Sequence, residues 1–364
     1  MKVALVIEKF RPAGGAERQC AYLAKELLQR GHEVHVYARQ IAETSGIHPH
    51  KVPPEGIFMS QTFAAQVRKM LMPEKFDIIH SFTHTDYQDI LRLGGGTHRE
   101  YLLRTDPAYS FFERIFRGMH PKEKLGLTLE RASLRPGASR KIVAISHRVK
   151  EEAIRHYNVP ADEILVIRNG VDANDFKPSE EARRLIRNQI GIGESEYVLL
   201  FVGSGFRRKG LEYAIQAIDR VPSAKLVVVG EGRATPHPRV LMLGWRTDVP
   251  HLYAAADAFI FPTLYEPFGN VVLEAMASGI PAIVSRVAGV SEVIDNDSIV
   301  VEDAMNIDEL SAAVKRLEDP AIRKPMGEAA RRKAMARPLE QVFDENFRLY
   351  EQVVAMKRQF PAST

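Results

Sequence analysis

Two carboxylates, Glu266 and Glu274, are separated by seven residues within PTLYEPFGNVVLEAMASGIPAIVS, residues 262–285. The stretch reads as a strand ending at 258–262, a loop carrying Glu266, a helix over about 270–278 stopped by Gly279, and a second strand, PAIVS. Asn270 suits a helix N-cap and Gly279 a left-handed C-cap. Glu274 falls one turn after Asn270 on the same face. Both carboxylates therefore border a helix start whose free amides, from about Phe268 to Val271, attract anions. Carboxylates accept hydrogen bonds from sugar hydroxyls and the amide cluster faces negative charge, so the stretch suits a ligand that is half polyol and half phosphate.

A second cluster lies upstream. The apolar strand YVLLFVG runs into SGFRRKG and then the helical LEYAIQAIDRV. A strand, a loop with three cations and a helix start form a phosphate site, with Arg208 and Lys209 set to neutralise a diphosphate and Arg207 the lesser candidate. A solvated loop is the plainer alternative.

The elements that must position these groups follow a simple alternation. KVALVI, a glycine loop, a helix to Arg30 closed by Gly31, and EVHVYAR indicate a βαβ unit of an open parallel sheet. Ligands of such sheets bind beyond the carboxyl ends of the strands, where Gly14 and Gly15 lie. Paired glycines admit close backbone approach to a ligand, or else serve a turn that needs positive φ. The pattern is not GxGxxG and lacks a ribose-binding acid, which weighs against a nicotinamide oxidoreductase. Further strands are expected at 76–82, 141–147 and 163–170, with DILRL a weaker candidate. AKLVVVGEGR, RVLML and AFIFP continue the alternation in the second half.

The Asn-Gly turn in VIRNGVD, followed by the polar DFKPSEEARRLIRNQIGIGESE, marks a domain boundary. Residues 1–168 are expected to form an amino-terminal, acceptor-binding Rossmann-like domain and 169–337 a nucleotide-sugar-binding one. Residues 338–364 would form a helix after the break at Pro338. Its stripe of Leu339, Val342, Phe343, Phe347, Tyr350 and Val354 must be buried against something.

Composition bounds the rest. A chain of 364 residues, 45% hydrophobic and 26% charged, can build two globular cores. No run of 18 apolar residues occurs, the start lacks a signal peptide's apolar core, and Cys20 is the single cysteine, so a cytoplasmic protein is expected. Cys20 sits on the apolar side of an amphipathic helix and reads as a buried thiol. His80, His84 and His98 are too scattered for a metal set, and no HExxH or Cys/His spacing occurs, so no metal is expected.

The net charge of +4 matters only where it concentrates. Over residues 98–150, Arg99, Arg104, Arg114, Arg117, Lys122, Lys124 and their basic neighbours alternate with Tyr101, Leu103, Phe111, Phe112, Ile115 and Phe116. That interleaving suits contact with an anionic membrane face or a phosphorylated glycolipid, and equally a solvated basic face packed on its own domain. No nucleic-acid-binding pattern accompanies it.

Taken together, GGAER, GSGFRRKG and EPFGNVVLEA resemble the retaining glycosyltransferases of the GT-B fold (group 1, family 4). Among these the pattern is most similar to bacterial lipopolysaccharide core α-1,3-glucosyltransferases. The resemblance implies an α/β architecture of two Rossmann-like parallel-sheet domains facing across a cleft, with a C-terminal helix crossing back to the first. It implies that Glu266 and the backbone of Pro267, Phe268, Gly269, Asn270 and Val271 hold the donor sugar, and that Glu274 holds the ribose. Gly203, Arg208 and Lys209 would meet the diphosphate, and Gly14 and Gly15 would face it from the first domain.

The Gly244-Trp245-Arg246 corner is similar to the place where relatives hold the base, although Trp245 could instead cap the core. Thr97-His98 resembles a pair that contacts the sugar near the reacting carbon; a histidine satisfied by its own turn is the alternative. The catalytic set implied is Glu266, Lys209, Arg208 and His98, with configuration retained and no metal. The donor implied is a nucleotide sugar, UDP-glucose, as co-substrate, and the acceptor a glycolipid or oligosaccharide. An epimerase or phosphorylase of the same fold and a non-catalytic sugar-nucleotide-binding protein remain as alternatives.

Overall fold

The computed structural model describes residues 1–11, 14–53 and 59–359, with the side chains of 59–62 excepted. The chain divides into two compact units, Met1–Arg168 together with the chain from Val342 onward, and Asn169–Gln341.

The first unit holds β1 (Lys2–Val6), β2 (Lys9–Phe10), β3 (Glu33–Ala38), β4 (Gln40–Ile41), β5 (His48–Lys51), β6 (Ile78–Ser81), β7 (Ile90–Leu93), β8 (Lys141–Ala144) and β9 (Ile164–Val166). Seven of these form one sheet in the order β5-β3-β1-β6-β7-β8-β9, while β2 pairs with β4 alone. Every pairing is parallel. A parallel sheet is covered on both faces, which is why its central strands are continuous apolar runs such as the fully buried Val3 to Val6. The helix Gly15–Gln29 covers it with Gln19, Cys20, Leu23, Ala24 and Leu27 at helical spacing. Cys20 is buried as expected, and burial pushes its thiol far up.

The second unit holds β10 (Tyr197–Val202), β11 (Ala224–Val229), β12 (Val240–Gly244), β13 (Ala258–Phe261), β14 (Ala282–Ser285) and β15 (Ile299–Val301). They form a parallel sheet ordered β12-β11-β10-β13-β14-β15. The two Rossmann-like parallel sheets are those expected of this α/β fold class. In each the strand order reverses beside the first strand, between β1 and β6 and between β10 and β13. Such reversals leave a crevice at the carboxyl ends of the strands.

The helix Leu339–Gln359 returns the chain to the first unit. The Tyr350 hydroxyl lies 2.7 Å from His80 Nδ1, and Lys357 Nζ lies 2.8 Å from Asp89 and 3.0 Å from the Phe76 carbonyl. Its apolar stripe is buried as the spacing requires, except that Val353 takes the inner position and Val354 lies at the margin.

The polar stretch after VIRNGVD contains the helix Glu180–Gln189, capped by Ser179, with Arg187 among its buried residues. The units part ahead of it, between Arg168 and Asn169.

Candidate functional site

The loops after β10 and β13 bring the strongest candidates together. After Val202 the backbone passes through Gly203 and Gly205, both at positive φ, into a single helical turn, Phe206–Lys209, and then Gly210. The expected open loop is therefore a turn of helix, and it points Arg208 and Lys209 at the segment following β13. The Arg208 carbonyl accepts from the Leu264 amide at 2.8 Å, and the Arg208 guanidinium donates to the Tyr265 carbonyl at 2.7 Å. Gly210 makes this approach possible. A Cβ there would lie 1.8 Å from the Pro262 carbonyl oxygen, at a φ of 74° that side chains rarely adopt.

Glu266 receives both cations. Its Oε2 lies 3.0 Å from Arg208 Nη1 and 3.7 Å from Lys209 Nζ, and Lys209 also stands 4.9 Å above the Phe261 ring. Burial alone would raise the Glu266 pKa, but Lys209 and Arg208 outweigh it and hold the carboxyl below its ordinary range. The stability it contributes is present above the ordinary carboxylate pKa and lost as pH falls through the lower folded value. Burial lowers the Lys209 pKa, opposed chiefly by Glu266 and further by Glu274.

Gly203 lies directly beneath Lys209. A Cβ on it would fall 2.6 to 2.8 Å from the Lys209 Nζ, Cδ and Cε, at a φ of 142°. Gly203→Ala should therefore displace the ammonium and lower kcat/KM for sugar transfer about tenfold, short of the hundredfold that a 1 Å misplacement can cost. Initial-rate kinetics would show it, alongside a melting temperature lowered by the strain of alanine at that φ.

The start of the helix Asn270–Ala277 corrects one expectation. Gly269, at φ 110°, occupies the N-cap and Asn270 is the first helical residue. The loop must turn through a left-handed conformation to lead Phe268 inward, and glycine does so without strain. The Asn270 side chain is instead engaged by Asn169, whose Nδ2 donates to its Oδ1 at 2.7 Å. Phe268 is buried, while Asn270 and Val271 are partly exposed. Gly279 has the left-handed φ of 79° expected after the helix.

The loop is backed by Ala288 and Gly289, whose segment donates to the carbonyls of Glu266 and Phe268 from the amides of Gly289 and Val290 at 2.9 and 2.8 Å. Pro267 is buried between them. Glu274 is 4% exposed, and the Tyr253 hydroxyl lies 3.1 Å from its Oε2 and 3.0 Å from the Val271 carbonyl. Tyr253 was not singled out by sequence; its one signal is its place on the helix preceding β13.

Trp245 and Arg246 follow β12, on the same edge of the sheet. Trp245 is 63% exposed, so it does not cap the core. Arg246 makes a bidentate pair with Asp248 at 2.8 and 2.6 Å, which holds the Asp248 carboxyl below its ordinary range.

Gly14, Gly15 and His98 belong to the first unit. Gly14 adopts φ 89° at the N-cap of the helix that Gly15 opens, so the positive-φ requirement is real there. Pro12 and Ala13 of the same loop lie outside the described residues. His98 begins the helix His98–Thr105, whose N-cap is Thr97. It is held by more than a local turn: its amide and that of Arg99 donate to the buried Glu130, and its Nε2 lies 2.6 Å from the Glu123 carboxylate. Neither glutamate was legible as a partner, because both come from a distant helix, Pro121–Ser133.

The basic and aromatic region divides in two. Arg104 and Arg155 pair with Glu100, Lys141 and Lys150 with backbone carbonyls, and Arg117 turns inward between Tyr101 and Tyr109 to meet Asp106. The helix Phe111–Met119 has no buried residue, and Phe111, Phe112 and Phe116 are each at least 70% exposed. The Phe111 and Phe112 rings meet edge to face at 5.8 Å between centroids. Among the described residues, no helix is long and apolar enough to cross a membrane.

Comparison with known proteins adds to this geometry. The family "Glycosyltransferase Family 4" matches residues 13–175, and "Glycosyl transferases group 1" matches 182–333. An uncharacterized glycosyltransferase of Methanocaldococcus jannaschii is 30% identical over 82% of this chain and 83% of its own length. The lipopolysaccharide glucosyltransferase WaaG of Escherichia coli is 25% identical over 91% and 93%. An E. coli UDP-Gal:alpha-D-GlcNAc-diphosphoundecaprenol alpha-1,3-galactosyltransferase is 27% identical over 73% and 72%. The crystal structure of WaaG superposes with a TM-score of 0.82 at 22% identity, covering 94% of this chain and 98% of that one. With two parallel Rossmann-like sheets and both family matches in chain order, the chain belongs to the group 1, family 4 glycosyltransferases of the GT-B fold.

Proposed function

We propose that this glycosyltransferase moves glucose from UDP-glucose to a hydroxyl of a lipopolysaccharide-core or related glycolipid acceptor, with retained configuration and without a metal ion. The observation that carries the reading is Glu266 gripped by Arg208 and Lys209 at the reversal point of the second sheet. Two cations against one carboxylate leave a positive excess for a diphosphate. As the bond from the anomeric carbon to that diphosphate breaks, charge gathers on the departing phosphate oxygen, and Arg208 and Lys209 stabilise it. Glu266 holds the sugar's hydroxyls and Glu274 the ribose. The acceptor oxygen attacks from the face the diphosphate leaves, and its proton passes to the departing phosphate oxygen.

The names of the E. coli relatives, a glucosyltransferase and a UDP-galactose-dependent galactosyltransferase, support a UDP-hexose donor and a lipid-linked acceptor. Incubation of the enzyme with radiolabelled UDP-glucose and lipopolysaccharide-core acceptors in excess chelator should give undiminished formation of an α-linked product. Loss of turnover in chelator, restored by Mn2+ or Mg2+, would remove the metal-independent mechanism. Donor interconversion without transfer would favour an epimerase.

The exposed helix Phe111–Met119 supports action at the cytoplasmic face of a membrane, with Phe111, Phe112 and Phe116 entering the headgroup boundary. The chain should float with anionic vesicles, and Phe112→Asp with Phe116→Asp should cut recovery at least about fivefold. Equal recovery with anionic and neutral vesicles would defeat this part of the reading.

A further inference from the structure

The outer edge of the first sheet carries an unusual group of side chains. β5 is the edge strand, and it pairs in parallel with β3 so that His35 stands opposite His48 and Tyr37 opposite His50. Because side chains alternate along a strand, Glu33, His35 and Tyr37 share one face of β3, and His48 and His50 share one face of β5. One donor atom from each of Glu33, His35 and His48 lies within 4.8 Å of the other two. The His35 ring stacks on His48 at 4.6 Å between centroids, its Nε2 lies 2.7 Å from Glu33 Oε1, and its Nδ1 lies 2.8 Å from His50 Nε2. His50 in turn stacks on Tyr37 at 4.3 Å.

We propose that Glu33, His35 and His48 form a binding site for zinc or a neighbouring late first-row divalent ion, with His50 orienting His35 from behind. The chemistry of the donor set favours it. Two imidazoles and a carboxylate, with water in a fourth position, match the ligand types of open zinc sites. A metal-bound histidine commonly donates its second ring N–H to an acceptor that fixes the tautomer. His50 Nε2 is placed to be that acceptor: with the proton kept on His35 Nδ1, the lone pair of His35 Nε2 faces Glu33, and the ion takes the place of the proton between them.

Ligand atoms around tetrahedral zinc end roughly 3.3 Å apart, so the group must close somewhat, and Glu33 and His48 are exposed side chains free to do so. Lys2 is the facing cation. It lies 3.9 Å from Glu33 but 3.0 Å from Glu74, so releasing Glu33 to an ion leaves it paired.

A bound ion would fasten the four-residue β5 to its neighbour across an otherwise open edge. Glu33, His35 and His48 belong to the first unit, whereas Glu266, Glu274, Arg208 and Lys209 belong to the second.

The test uses the full chain without a histidine tag, stripped with chelator and dialysed. Zinc is titrated in competition with a chromophoric chelator, and Co2+ uptake is followed by its visible absorption. The expected result is one ion per chain with the intense bands of tetrahedral cobalt and a raised melting temperature. His48→Ala and Glu33→Gln should each weaken binding at least about tenfold, and His50→Ala about tenfold at unchanged stoichiometry. Circular dichroism verifies that the exposed-site variants fold. No uptake by the parent chain, or uptake by His48→Ala as tight as the parent's, would overturn the site; an unaffected His50→Ala would overturn the orienting role.

Discussion

Lys209→Ala is expected to lower kcat/KM for sugar transfer about 10²–10³-fold, the cost of removing one preorganised group that meets developing negative charge. The position is built for that purpose. Nζ is held over the Phe261 ring and 3.7 Å from Glu266, with its stem on the Cβ-free surface of Gly203. Little of the loss should come from misfolding, because Arg208 stays paired to Glu266 at 3.0 Å and no carboxylate is left buried alone. The melting temperature should therefore change little while turnover collapses. Arg208→Ala is a less clean probe, since that side chain also ties the Tyr265 carbonyl to the turn. Near-normal turnover in Lys209→Ala would show that the diphosphate binds elsewhere.

The largest effect on stability is expected from Asp257→Ala. Asp257 is 7% exposed, pairs with Arg183 and Arg187 at 2.8 Å each, accepts from the Val198 amide at 2.8 Å and lies 3.5 Å from Arg323. Arg187 is 1% exposed. Its other donors reach the carbonyls of Ala255, Gly193, Glu194 and Glu196, which satisfy its N–H groups without neutralising its charge. Burial lowers its pKa, with Asp257 as the main opposing influence.

Removing one partner of a buried ion pair costs about 3–5 kcal/mol. Urea denaturation should show a loss of that size for Asp257→Ala. Asp308→Ala, which breaks a pair with Arg220 at the exposed surface, should cost under about 1 kcal/mol. Equal effects would mean that solvent already reaches Arg187.

How far the sequence reached depends on whether the relevant physics is local. The strands were legible because buried parallel strands are unbroken apolar runs, and YVLLFV is buried throughout. The clustering of Arg208, Lys209 and Glu266 could be anticipated because each follows a recognisable strand, and parallel strands deliver their carboxyl ends to one edge. What escaped were partners supplied from far along the chain. Glu123 and Glu130 around His98 and Asp257 opposite Arg187 carry no signal of their own, and Tyr253 beneath Glu274 has only its place on the helix before β13. Asn270 was misread because capping preference is local, whereas Gly269 answers to the path of the loop. Arg187 was concealed in a polar segment that resembles a linker in composition. His35, His48 and His50 meet only through strand register, so no spacing along the chain betrays them.

The last helix has a consequence for how the molecule is made. Phe347 and Tyr350 close on His32 and His80 of the first unit, although 270 residues of chain separate the tyrosine from its histidine. A ribosome thus releases the rest of that lobe first and supplies its closing piece only after the whole second unit has been made. Throughout that interval His80 lacks its tyrosine, and the nascent lobe carries an open apolar seam for a chaperone to shield.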